Sequence, residues 1–326
     1  MQKLNKKLIA ILTIIAIAVI SSGVFIYVYY QGQPEASEIE TLQNLVDDTG
    51  YVTSLTTIPN RIVSLAPSTT EILFALDLDD KVVGVTNYCN YPYDFSAWVE
   101  AGNMTSVGDF SDPSMEVVTS LAPDLILATG GVQAETVATM RNLGLKVLIL
   151  DPSSVNGVLA DIELVGNATG KREQATLLVG SLESRIDAVT EKVSSSSVKP
   201  KVYYEVWYDP TSLWSAGSQA FQNELIEKAG GENIFADQVL DYFQSSTEAV
   251  IERNPNVILL PASGMGFGEP FWGSIDTVKG RPGWNTISAV QNNKIFQVDG
   301  DAIARAGPRV VDSIEQLAEF FHPELF

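Results

Sequence analysis

The sequence predicts an α/β protein of two Rossmann-like lobes joined by a single long helix, with a cleft between the lobes and a transmembrane helix ahead of them. Three observations carry this prediction. From residue 61 onward, short apolar runs alternate with helical patterns, which implies parallel sheets covered on both faces. Residues 171–193 break that rhythm with one long helical pattern. A short motif then recurs on either side of the break.

The chain opens with Lys3, Lys6 and Lys7, then runs without a charge from Leu8 to Tyr30, with Tyr27, Tyr29 and Tyr30 at the far end. A helix over 23 residues rises far enough to span a bilayer. The lysines before it place the N-terminus in the cytoplasm and the body outside. Residues 1–30 are therefore read as a transmembrane anchor, or as a signal segment cut near Ser21-Ser22-Gly23. The one cysteine, Cys89, leaves no lipidation site after the apolar run and no intrachain disulfide. It reads as a buried small residue rather than a metal ligand. Asn103-Met104-Thr105 and Asn167-Ala168-Thr169 fit the glycosylation sequon.

Residues 31–57, polar at first with scattered acids, read as a stalk and lead-in segment. The N-terminal lobe is assigned to 58–168. In it Arg61–Leu65 is a strand, and Ser68-Thr69-Thr70-Glu71 has the spacing of a capping box opening a helix to about Leu76. Lys81–Val85 is a second strand. Asp112-Pro113 should cap a helix ending at Leu121. Asp124–Ala128 is a strand, Ala134–Leu143 a helix stopped by Gly144, and Lys146–Leu150 another strand. The connecting helix is assigned to 169–197, with Leu178, Leu182, Ile186, Val189 and Val193 on its apolar face. So stiff a connection argues against large hinge closure. The C-terminal lobe, 198–326, resumes with the strand Lys201–Val206.

The recurring motif is Ser114-x-Glu116-x-Val118 followed by Pro123-x-x-Ile126-Leu127. It returns 132 residues later as Ser246-x-Glu248-x-Val250 and Pro255-x-x-Ile258-Leu259. Lys146–Asp151 likewise resembles Lys294–Asp299. Matches in the same order point to two related lobes.

At 326 residues with 45% apolar side chains, the chain can fill two cores. Its net charge is −20, and beyond the first ten residues 40 acidic side chains face only 17 basic ones. Such a surface offers nucleic acid no footprint. The single histidine, His322, excludes a multi-histidine metal site and most histidine-dependent triads. Gly264-Met-Gly-Phe-Gly268 lacks the lysine of a phosphate loop and reads as a flexible loop. No spacing singles out a catalytic carboxylate pair among the 40 acids.

Aromatic residues gather where loops should leave the strands: Tyr88 and Tyr91 after Val85, Phe110 before Asp112, Trp207-Tyr208 after Val206, and Tyr242-Phe243 before the second Ser-x-Glu. Ligands of α/β sheets bind outside the carboxyl ends of strands, and flat apolar faces there suit a large, partly planar ligand.

Five segments together resemble the helical-backbone, or class III, periplasmic binding proteins of ABC importers for cobalamin, ferric siderophores and haem. They are Arg61–Glu71, Gly84–Pro92, Leu121–Leu127, Gly230–Phe235 and Arg305–Arg309. The resemblance spans roughly 45–326, and Tyr88-Cys-Asn-Tyr-Pro92 is most similar to the vitamin B12-binding branch. It implies that Glu116 and Glu248, one per lobe, dock on arginines of the two permease subunits, and that Tyr88, Phe110, Trp207, Tyr242, Asp301 and Arg305 contact ligand. It also implies an ABC permease dimer with its ATPase subunits as partner. The B12-binding pattern has tryptophan where this chain has Phe110, Thr129 and Tyr242, which leaves open whether the ligand is a corrinoid or another ferric chelate, siderophore or haem. The expected activity is capture without catalysis, with no catalytic residue, no resident cofactor and no bound metal of its own. A two-lobed extracellular hydrolase is the alternative from another class.

Overall fold

The computed structural model of the protein describes residues 43–209, 212–263 and 274–326. The expected transmembrane helix over 1–30 and the loop Gly264–Gly268 lie outside the described residues. Among the described residues, no helix is long and apolar enough to cross a membrane.

The lead-in segment expected as a stalk is folded from residue 43. Strands β1 (Gln43–Val46) and β2 (Val52–Leu55) form an antiparallel hairpin. Asp47 fixes its turn by accepting from the backbone N–H groups of Thr49 and Tyr51, and it also accepts from Ile149 N and pairs with Arg141. Those hydrogen bonds hold the Asp47 carboxyl below its usual range, although burial pushes the other way. Thr53 Oγ1 donates to Val147 O at 2.8 Å, so the hairpin is stitched to the sheet behind it.

That sheet is built from β3 (Ile62–Ser64), β4 (Val82–Val85), β5 (Thr105–Ser106), β6 (Leu125–Ala128) and β7 (Val147–Ile149). It is wholly parallel in the order β5-β4-β3-β6-β7. The chain moves from β3 to one side through β4 and β5, then returns to the other side with β6. The carboxyl ends of β3 and β6 therefore flank a topological switch point, where α/β sheets open a crevice.

Two helices begin differently from the expected caps. The helix after β3 runs Pro67–Ala75, with proline in its first turn and Ala66 as a cap without a side-chain hydrogen bond. The Ser68–Glu71 spacing is therefore not a capping box: Glu71 is buried and bonds elsewhere. The next predicted cap, Asp112, gives way to Ser114, whose Oγ accepts from Val117 N at the start of Met115–Ser120.

Two helices lie between the first sheet and the second, and the longer, later one occupies most of the expected 169–197. Val155–Thr169 ends at Gly170, in the left-handed region at φ 73°, and Arg172–Ser194 follows and packs against it. The long helix buries Ala175, Val179, Leu182, Ile186, Val189 and Val193, and Leu178 is only half-buried. Arg185, midway along it, pairs with Asp312 and Glu315 of the C-terminal helix Val310–Phe321.

The second sheet contains β8 (Lys201–Asp209), β9 (Ser212–Ala216), β10 (Glu232–Asn233), β11 (Tyr242–Ser245), β12 (Val257–Ser263) and β13 (Ile295–Asp299). Its order is β11-β9-β8-β12-β13, with β10 also on β8. β8, β10, β12 and β13 are mutually parallel where they pair, but β9 and β11 are antiparallel, so this sheet is mixed where a parallel one was expected. Two residues separate β8 from β9, and so short a connection closes only an antiparallel pair.

The internal repeat is structural as well as sequential. Ser114 and Ser246 both cap helices through Oγ, Val118 and Val250 are both fully buried, and Ala122 and Asn254 both end their helices at φ 45°. Ile126 N then donates to Lys146 O, as Ile258 N does to Lys294 O.

Candidate functional site

A cleft of about 560 Å³ opens at the switch point of the first sheet. Its walls come from strand-end segments of that sheet, including Ala66–Ser68, Thr129 and Asp151, and from Phe221 and Ala304–Ala306 of the second lobe. Tyr88 and Phe110 form its aromatic side, meeting edge to face with centroids 6.4 Å apart. The Tyr88 hydroxyl donates to Asp109 Oδ2 at 3.2 Å. Asp109 Oδ1 accepts from both the backbone N–H and the hydroxyl of Ser111, at 2.8 and 2.7 Å, which lowers the carboxyl's pKa. The negative charge of Asp109 in turn raises the Tyr88 phenol, so at neutral pH Tyr88 is a neutral ring whose hydroxyl proton is held by Asp109.

One fully buried side chain holds these loops in place. Gln133 Nε2 donates to Leu65 O and Phe110 O, both at 2.7 Å, and its Oε1 accepts from Thr129 N at 3.0 Å. Three loops of the cleft thus hang on one amide. Nothing in its sequence context marks it, because its partners lie 68, 23 and 4 residues away.

Arg305 lines the cleft as expected, but its guanidinium is spent inside the protein. It pairs with Asp301 at 2.7 Å and Glu71 at 3.5 Å, and donates to Asn90 Oδ1 and Tyr88 O. Asp301, expected to touch ligand, is buried and accepts from Asn90 Nδ2 at 2.9 Å, outside the cavity lining. Beside them Arg309 grips Glu71 with two hydrogen bonds of 3.0 and 2.7 Å, pairs with Asp299, and covers the Tyr91 ring. The cluster joins residues 71–91 of one lobe to 299–309 of the other. Removing one partner of such a buried pair costs on the order of 3 kcal/mol.

Trp207 and Tyr242 also fall outside the lining. Trp207 pairs across β8 and β9 with Trp214, and Tyr242, on the edge strand β11, donates to Gln222 Oε1 at 2.9 Å. Phe221, which sequence reasoning passed over, supplies the second lobe's aromatic wall; it begins the helix Phe221–Lys228 and has no strand end beside it to draw attention.

Glu116 and Glu248 are exposed in the first turns of Met115–Ser120 and Thr247–Arg253, one beside each sheet. Cys89 is buried against the hydroxyls of Thr70 and Thr86 at 3.1 and 3.5 Å, and burial pushes its thiol up. His322 is buried too, its Nε2 3.2 Å from Gly230 O. Among the described residues, no group of three or more His, Cys, Asp or Glu could hold a metal ion.

Comparison with known proteins agrees with this architecture. The periplasmic binding protein family model matches residues 62–302. The uncharacterized ABC transporter substrate-binding lipoprotein YvrC of Bacillus subtilis (strain 168) is 35% identical over 274 residues, 82% of each chain. The vitamin B12-binding protein of Photorhabdus laumondii subsp. laumondii is 27% identical over 274 residues, covering 82% of this chain and 89% of that one. Among solved structures, the apo periplasmic haem-binding protein RhuT of Roseiflexus sp. RS-1 superposes with a TM-score of 0.69 at 27% identity, over 82% of this chain and 99% of the other. The chain belongs to the periplasmic binding protein family, and it is a binding protein rather than an enzyme.

Proposed function

We propose that this protein is the extracellular solute-binding component of an ABC importer, capturing a corrinoid in the cleft between its lobes and handing it to a permease. The observation that carries the reading is the cleft itself: an open space of about 560 Å³ at the switch point, faced by Tyr88, Phe110 and Phe221. Such a surface offers flat apolar contact with few polar groups, as sites for small organic ligands do. The likeness to YvrC and to a vitamin B12-binding protein supports transport of this class. A ferric siderophore or haem is the second reading, and the likeness to RhuT favours it.

Calorimetric titration with cyanocobalamin and cobinamide tests the proposal. Tyr88→Ala and Phe110→Ala should each weaken binding by about 1–3 kcal/mol, because each removes a central aromatic contact. Saturable corrinoid binding left intact by both substitutions would move the site elsewhere. We further propose that residues 1–30 anchor the body on the outer face of the membrane. A chain beginning at Pro34 should then leave the membrane fraction and keep its ligand affinity, whereas release of the intact protein with a new N-terminus near Gly23 would overturn the anchor.

A further inference from the structure

The cleft's charges point one way. Among the described residues that line it, the carboxylates are Asp109 and Asp151 and the only cation is Arg305. Arg305 is committed to Asp301, Glu71 and Asn90, so its charge is already neutralised within the protein. The two carboxylates are differently placed. Both are exposed. Asp109 is fixed by Ser111 and Tyr88, which use only part of its acceptor capacity. Asp151 follows β7 across from Thr129, whose hydroxyl approaches one oxygen at 3.5 Å. The other oxygen lies over Gly130, where a Cβ would sit only 1.9 Å from it. Glycine at 130 is thus what gives the Asp151 carboxylate its place in the cleft lining.

We propose that Asp109 and Asp151 are specificity-determining residues that make the cleft a charge filter, admitting amide-rich ligands of neutral or positive charge and rejecting anionic chelates. This rests on the capture reading above and adds to it the chemistry that selects among its candidates. Carboxylates accept hydrogen bonds from the amide N–H groups that fringe a corrin ring or line a cationic trihydroxamate chelate. They repel the propionates of haem and the negative charge of a ferric tricatecholate, and among the described residues that line the cleft the one cation, Arg305, is already paired. Because both carboxylates are exposed to solvent, salt should weaken the filter.

The test is competitive binding to the purified protein of cyanocobalamin, ferrioxamine B, haem and a ferric tricatecholate, at low and high ionic strength. The wild-type protein should prefer cyanocobalamin or ferrioxamine B over both anionic chelates by about tenfold or more at low salt. Asp109→Asn with Asp151→Asn keeps the shape and local hydrogen bonding, and should narrow that ratio about tenfold. High salt should narrow it in the wild type and not in the double variant. Preference for ferrioxamine B over cyanocobalamin would leave the filter standing and overturn the corrinoid reading. Equal or tighter binding of haem or the tricatecholate, or a ratio unmoved by the double substitution, would overturn the filter while capture stands. Failure of all four to bind would overturn both.

Discussion

Asp161 is 2% exposed on the buried face of the helix Val155–Thr169, and its Oδ2 has no hydrogen-bond partner. Burial, reinforced by the charges of Asp48, Asp151 and Asp47, raises its pKa from 3.8 to about 8. The folded chain therefore keeps this proton up to about pH 8, whereas the unfolded chain gives it up near pH 3.8. Between those values unfolding releases a proton, so this residue's contribution to stability is full at low pH and declines as pH rises through the window. Asp161→Asn stays neutral throughout. Urea unfolding should show the variant gaining on the wild type by about 1–3 kcal/mol more at pH 8 than at pH 4; a pH-independent difference would show that Asp161 does not titrate in this way. Residues at this scale were unevenly legible in the sequence. Tyr88 is legible because it follows a strand end, and Phe110 because it precedes the expected helix cap at Asp112. Glu71 looked like a capping-box member because its neighbours in sequence fit one, while its partner Arg309 lies 238 residues away. The motif points to Asp301 and Arg305 as ligand contacts; long-range pairing buries Asp301, while Arg305 lines the cleft with its guanidinium bound to partners in the protein.

At the scale of elements, what the sequence shows best is what local chemistry decides. The paired Ser-x-Glu helices were visible because a cap, a buried valine and a following strand fall at fixed short offsets, and the fold repeats even the positive φ of Ala122 and Asn254 that ends each helix. Proline after each stop keeps the helix from resuming. The β9–β11 ribbon was not visible. Its strands carry no alternation strong enough to stand out, with Trp214 and Tyr242 facing solvent, and their order depends on pairing with β8 rather than on pattern. The hairpin β1–β2 was missed for a related reason. Its polar turn, Asp47–Gly50, resembles linker sequence, and only the distant partners Arg141, Val147 and Ile149 make it part of the sheet.

For the whole molecule, capture has value only if both lobes can be presented to a permease, and the repeat supplies a matched group on each. Glu116 and Glu248 stand exposed in the first turns of helices capped by Ser114 and Ser246, and neither is among the residues that line the cleft. A carboxylate there gains from its own helix dipole, which accounts for local stability, but it also remains free in position to meet a guanidinium in two-pronged fashion. We propose that the pair acts in docking. Glu116→Ala or Glu248→Ala should then lower uptake in cells while leaving the affinity of the purified protein for cyanocobalamin unchanged. Reversing both, Glu116→Lys with Glu248→Lys, should be worse than removing both, because it sets like charges face to face across the interface. Helix-dipole loss alone predicts a different pattern: a small fall in thermal stability, equal for uptake-competent and uptake-deficient variants, and transport that follows the amount of folded protein. Measuring uptake, equilibrium binding and melting temperature on the same variants separates the two. Normal uptake by the double lysine variant, or a loss of affinity large enough to explain the whole defect, would remove these glutamates from the interface.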